Sequence, residues 1–241
     1  LSLSLSRARA RSRFPSKPAV FVPCGANLVR SGEGQAAVEV AASTLPSLRQ
    51  FMRLHTDIDT ATGDQTMFFI VTFILPGPPA LSFVILFKRS VKRGLDRAFD
   101  RLFARFLGGD DEFKNSRFKF ACRLLSAPWI LTATVTSLGG VKPTILGRKL
   151  RTEYAFDEGS ARGGEGGGAV EPRYLEASVY VTSSVVARQI FSLVAGGAPK
   201  IAMEFAFFLE GKEEVELPER LMACFRLCHA SVDAMATTFP A

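Results

Sequence analysis

Gly108-Gly109-Asp110-Asp111-Glu112-Phe113-Lys114-Asn115-Ser116-Arg117-Phe118-Lys119-Phe120 is the stretch on which the reading of the fold turns. Two glycines end whatever precedes them, and three acidic residues follow. From Arg117 the residues alternate. Phe118, Phe120, Cys122 and Leu124 fall on one side, and Arg117, Lys119 and Arg123 on the other. A period of two belongs to a strand with one buried face. The spacing predicts a strand over 117–125, phenylalanines inward and cations outward. Asp110 or Asp111 is placed to cap the following turn or to pair with Arg117. The acidic cluster lacks the alternating oxygen ligands of a calcium loop.

On the N-terminal side a helix is predicted over about 90–107. Val91, Leu95, Phe99, Leu102, Phe103 and Phe106 form one apolar stripe, and Gly108 is placed to end it. The polar side carries Lys92, Arg93, Arg97, Arg101 and Arg105. A basic amphipathic helix suits a membrane surface, although Asp96 and Asp100 also favour an ordinary surface helix with internal pairs. Upstream, Met67–Leu75 and Leu81–Phe87 are apolar runs rich in Phe, Ile and Val, parted by Pro76-Gly77-Pro78-Pro79. That composition predicts a β-hairpin rather than a membrane-spanning helix. Both of its faces are apolar, so it must be covered on both sides or contact lipid. Val20–Val22 predicts a short strand, and Leu45–Leu54 a helix beside a structural His55.

On the C-terminal side the pattern predicts strands at Trp129–Thr136, Ile145–Phe156, Tyr174–Thr182 and Arg220–Val232. Ser183 or Ser184 is placed to cap a helix running to about Leu193. Ile201–Leu209 reads as helix or strand. Asp157–Pro172 is glycine-rich without a following Gly-Lys-Ser/Thr, so it is a flexible insertion and not a phosphate loop.

At 241 residues and 47% hydrophobic, the chain can bury a large core. A formal charge of +7 favours an anionic partner. Cys24, Cys122, Cys224 and Cys228 are too few for a disulfide scaffold and read as reduced thiols. On a strand, Cys224 and Cys228 lie about 13 Å apart, and His229 faces away from Cys228, so no metal site closes there. With two histidines and no nucleophile elbow, no hydrolase triad is legible. Residues 1–16 are Arg- and Ser-rich, like a transit peptide, or are only the edge of the sequence; they are expected to be disordered and are set apart from a domain over 17–241.

These residues carry a family resemblance. Phe106–Lys119 resembles the F-x-N-G-D-D-x-F-R-N-S-R-F-K core of the Enhanced Disease Resistance 2 C-terminal domain family. In order after it, Pro128-Trp129 resembles G-P-W-V-V, Leu146–Leu150 resembles L-L-G-K-A-L, Tyr174–Glu176 resembles Y-L-E-I-D-V, Ser183–Ala187 resembles S-S-S-V-A, and Glu216–Leu221 resembles E-E-L-P-E-R-L. The likeness covers about 65–235 most strongly. Gly108 and Ala127 depart from the family's asparagine and glycine. The resemblance implies a domain that often follows a START lipid-binding domain, sometimes with a phosphoinositide-binding PH domain, and it has no assigned catalytic residue.

The expected fold is α+β: an antiparallel, curved sheet packed by two or three helices. The expected function is non-enzymatic lipid binding or peripheral membrane contact, regulatory in defence or lipid signalling, without cofactor, metal or nucleic acid. A protein-interaction module without lipid ligand is the first alternative, and an undescribed hydrolase the second. Phe68, Phe73, Ile85, Phe191 and Phe205 are the candidate pocket walls. Lys92, Arg93, Arg97, Arg101, Arg105, Arg117, Lys119 and Arg123 are the candidate anion contacts. Gly109, Asp110, Asp111, Asn115, Ser116, Trp129 and Pro218 are expected to be structural. The expected location is cytoplasmic and peripheral to membranes, or a plastid or mitochondrion if the N-terminus is a transit peptide.

Overall fold

The computed structural model describes residues 17–30, 45–77, 81–137, 142–159, 172–231 and 236–238. The segment 1–16, most of the glycine-rich loop and the end of the hairpin turn lie outside them. In chain order the elements are β1 (Phe21–Arg30), α1 (Pro46–Leu54), β2 (Met67–Leu75), β3 (Leu81–Arg89), α2 (Arg97–Gly108), α3 (Asp111–Asn115), β4 (Phe118–Ser126), α4 (Trp129–Ser137), β5 (Thr144–Ile145) and α5 (Leu146–Lys149). Then come β6 (Thr152–Asp157), β7 (Arg173–Tyr180), α6 (Val185–Gly197), β8 (Ala202–Leu209), β9 (Leu221–Cys228) and β10 (Ala236–Thr238).

The strands form one sheet in the order β5-β4-β8-β9-β1-β3-β2-β7-β6, with β10 against β1. Most neighbours are antiparallel, but β1–β9, β1–β10 and β2–β7 are parallel, so the sheet is mixed. The expected α+β fold with a curved sheet is present, with more helices than the two or three expected. The curvature is measurable. Strand β4 lies five positions from β2 in the order, which would be about 24 Å in a flat sheet. Yet the rings of Phe69 and Phe118 are 6.1 Å apart, as are those of Phe118 and Tyr154 on β6. The sheet therefore curls until its two ends nearly meet.

Phenylalanine fills the inside of the curl. Phe207 touches Phe69, Phe73, Phe87, Phe118 and Phe120 at centroid distances of 5.5–6.4 Å. Helix α2 plugs one end with Phe99, Leu102, Phe103 and Phe106, all buried. Their i, i+3, i+4, i+7 spacing puts them on one face. The helix starts later than the stripe suggests. Gly94 turns the chain at φ +84°, and the Asp96 side chain accepts the Phe99 amide at 3.4 Å. Leu95 thus lies before the cap and is exposed.

The doubly apolar hairpin is covered on both faces. Phe69, Val71, Phe73, Ile85 and Phe87 face into the curl. Phe68, Ile70, Val84 and Leu86 face outward, beneath Leu45, Leu48, Phe51 and Met52 of the α1 segment. His55 stacks on Phe51 at 4.0 Å and contacts its carbonyl, a structural role.

Two expected strands are corrected. Trp129–Ser137 is helix α4, although its alternation reads as a strand. Thr132 and Thr134 bond back to the carbonyls of Pro128 and Ile130 through their hydroxyls, satisfying β-branched residues inside a helix. Leu131 and Val135, four apart, are its buried face. The expected strand Ile145–Phe156 is broken by α5, because Leu146 turns into the core, and β6 starts only at Thr152. Residues 202–209 resolve as strand β8.

Candidate lipid-contacting site

The central stretch forms a brace between α2, α3, β4 and the turn before β9. Asp110 caps α3, its carboxylate accepting the Phe113 amide at 2.8 Å. Asp111 sits in the first turn without a cap bond. A Cβ on Gly109 would lie 2.8 Å from the Phe113 ring and 2.9 Å from the Arg105 carbonyl, so only glycine fits. The Ser116 hydroxyl donates to the Phe113 carbonyl. Asn115 packs so closely on Gly147 that a Cβ there would be 2.2 Å from Oδ1. Pro218 follows a cis bond after Leu217.

Above this brace the cations expected to face solvent turn inward. Arg117 is buried, its guanidinium donating to Glu216 at 2.6 Å and to the Glu210 carbonyl at 2.9 Å. Arg105 also donates to Glu216, at 2.6 Å, and both guanidiniums lie over the Phe113 ring. Lys119 pairs with Glu210 and Glu219. Arg123 and Arg226 both hold Glu204, and all three stand directly opposite one another across β4, β8 and β9. Glu204 on β8 and Glu210, Glu216 and Glu219 in the segment between β8 and β9 draw the row in, since a partly buried cation is stable only when paired. This corrects the expected exposed row.

The helix face is likewise partly neutralised. Lys92 pairs with Asp59 at 3.2 Å and Arg93 with Asp64 at 3.5 Å. Arg97 and Arg101 are exposed and have no acidic partner among the described residues. Of the eight candidate anion contacts, these two are the ones without an acidic partner among the described residues.

The candidate pocket walls do not share a face. Phe73, Ile85, Phe191 and Phe205 belong to the inner core, but Phe68 points the other way, beneath α1. A one-residue step along a strand reverses the side. Away from α2, cover over the inner face is incomplete. Leu81, Phe83, Phe120, Phe205 and Leu227 are only partly buried. Helix α6 packs against the same apolar clusters and is started by Ser184, whose hydroxyl accepts the Ala187 amide. Its inner row is Ala187, Ile190, Phe191 and Val194, and none of its residues is fully buried.

Trp129 was expected to be structural, yet it is 79% exposed at the start of α4. Sequence reading missed this face because it took α4 for a strand. The available signal was the absence of charged residues from Pro128 to Val141 and, apart from Arg188, from Val181 to Pro199.

Three of the four thiols are held in the neutral form by burial. Burial pushes Cys24 and Cys122 up to about 12 and Cys224 to about 11, so they stay protonated. Among the described residues no three His, Cys, Asp or Glu side chains converge on a metal position. No described helix is long and apolar enough to cross a membrane.

The arrangement defines an α+β domain with a nearly closed sheet around an aromatic core, half-covered at one end by apolar helices. The family model described as Protein ENHANCED DISEASE RESISTANCE 2, C-terminal, matches residues 8–231, and the chain belongs to that family. It is similar to the Arabidopsis thaliana protein named Protein ENHANCED DISEASE RESISTANCE 2-like, 35% identical over 132 residues. That match covers 55% of this chain and 16% of the relative. No solved structure matches.

Proposed function

We propose that this chain is a non-catalytic lipid-binding domain that meets membranes peripherally. The observation carrying this is the incompletely covered aromatic end of the curl, where Phe120 and Phe205 of the sheet and Phe191 of α6 pack against the core yet stay only partly buried. Well-packed cores bury such rings; an apolar mouth under a loosely seated helix suits an acyl chain. The unpaired Arg97 and Arg101, with the overall charge of +7, add attraction to anionic surfaces. Membership of the family supports a setting in defence, and we propose that the domain is regulatory there.

The test is mass spectrometry of lipid co-purifying with the chain, together with liposome flotation over a range of ionic strength. A lipid held under α6 by apolar contacts is retained at high salt, whereas surface attraction fades within a Debye length. No co-purifying lipid and no flotation at any salt would refute the proposal. It would leave the protein-interaction module.

A further inference from the structure

We infer that the outer faces of α4 and α6 form the docking surface, and that its partner is an anionic lipid bilayer. This rests on the membrane reading above and names the surface that performs it. Trp129 and Ile130 are 79% and 61% exposed at the start of α4, and Val185, Val186 and Leu193 are exposed along α6. Inside, the helices meet through Leu131, Val135, Ile190 and Val194. They are therefore neighbours, and their outward side chains form one apolar face. A helix apolar on all sides normally has all sides covered. In α4 one side has no cover among the described residues.

Charge selects the occupant. Neither helix, nor the 3-10 turn Ala198–Lys200 that continues α6, contains a single Asp or Glu. The charges there are Arg188 and Lys200, both exposed and without an acidic partner among the described residues. Elsewhere on the surface some cations have carboxylate partners, as Lys92 has Asp59 and Arg151 has Glu153, while Arg97 and Arg101 have none among the described residues. An apolar face carrying cations and no carboxylate matches acyl chains beneath negatively charged headgroups. Tryptophan at its edge fits the interfacial region, where an amphipathic ring sits between water and hydrocarbon.

Trp129 is the chain's single tryptophan, so its emission reports this face alone. Vesicles of phosphatidylcholine with phosphatidylserine should shift that emission to the blue, and acyl-brominated lipid should quench it. Pure phosphatidylcholine should do much less. Trp129→Ser with Ile130→Ser should weaken flotation at least about tenfold. Arg188→Gln with Lys200→Gln should weaken it on the order of thirty-fold, at about five-fold for each cation near an anionic surface. All four positions are exposed, and unchanged melting temperatures would show the variants folded. If the wild type floats while Trp129 emission stays fixed and both double variants float as well, this surface is wrong although membrane contact stands. If nothing floats, both fall. A blue shift that follows protein concentration without vesicles would assign the face to a second copy and overturn the inference.

Discussion

Glu216→Ala removes a carboxylate on which two guanidiniums and two backbone amides converge. The Glu216 side chain is 0% exposed, and that of Arg117 6%. Besides Arg105 and Arg117, the carboxylate accepts the amides of Lys212 at 2.9 Å and Glu213 at 3.2 Å. Without it Arg117 keeps only the Glu210 carbonyl, and a full charge stays buried without a counter-ion. Breaking a buried pair from one side costs about 3–5 kcal/mol. At about 2–4 °C per kcal/mol for a chain of this size, the melting temperature should fall by about 6–20 °C. Differential scanning calorimetry measures it directly. Lys92→Ala is the control, because its pair with Asp59 is exposed on the lysine side and its loss should leave the melting temperature nearly unchanged. Adding Arg117→Met to a Glu216→Leu change should recover part of the loss, since apolar replacement of both partners removes the stranded charge. The two amides still lack an acceptor, so recovery should be incomplete. A Glu216→Ala melting point within about 2 °C of wild type would refute the brace as a stabilising element.

Phe118→Ala should cost about 3–5 kcal/mol in urea unfolding, because the ring is buried and stacked on Phe207. Phe120→Ala should cost less, being only partly buried; an equal or larger loss would invert this ranking. Asp110→Ala should cost about 1 kcal/mol through the lost cap, and Asp111→Ala less, both read from thermal melts. Acid should unfold the domain early. Burial works to raise the carboxyls of Glu216 and Glu204. Hydrogen bonds from the Lys212 amide and Arg117, and from Arg226 and Arg123, outweigh it and hold both below 4.5. Their folded values lie under the unfolded one, so their stabilisation is complete above about pH 4.5 and drains away as pH falls through the folded values. Unfolding free energy measured against pH should be flat near neutrality and fall below about 4.5, and less steeply in Glu204→Gln. Constant stability down to about pH 3 would contradict this.

The sequence by itself determined the elements whose signals are local. The hairpin 67–89, helix α2, strand β4 after the acidic cluster and the Ser184 cap each follow from periodicity or cap chemistry within a few residues. The family, too, was legible from short collinear motifs. What it left open depends on partners distant in the chain. Arg117 alternates like a surface residue. Only the approach of Glu216, ninety-nine positions away, makes it a buried one. Phe68 and Phe73 look equivalent in an unbroken apolar run, and only curling decides which side becomes the inside. The β-branched residues of α4 read as a strand because intrinsic preference is weak beside packing. Leu131 and Val135 could both reach Ile201 and Met203 only on consecutive helical turns. The proposed docking face depends on the fold in the same way: α4 and α6 lie about fifty residues apart, and only packing through Leu131, Val135, Ile190 and Val194 brings these two acid-free helices side by side.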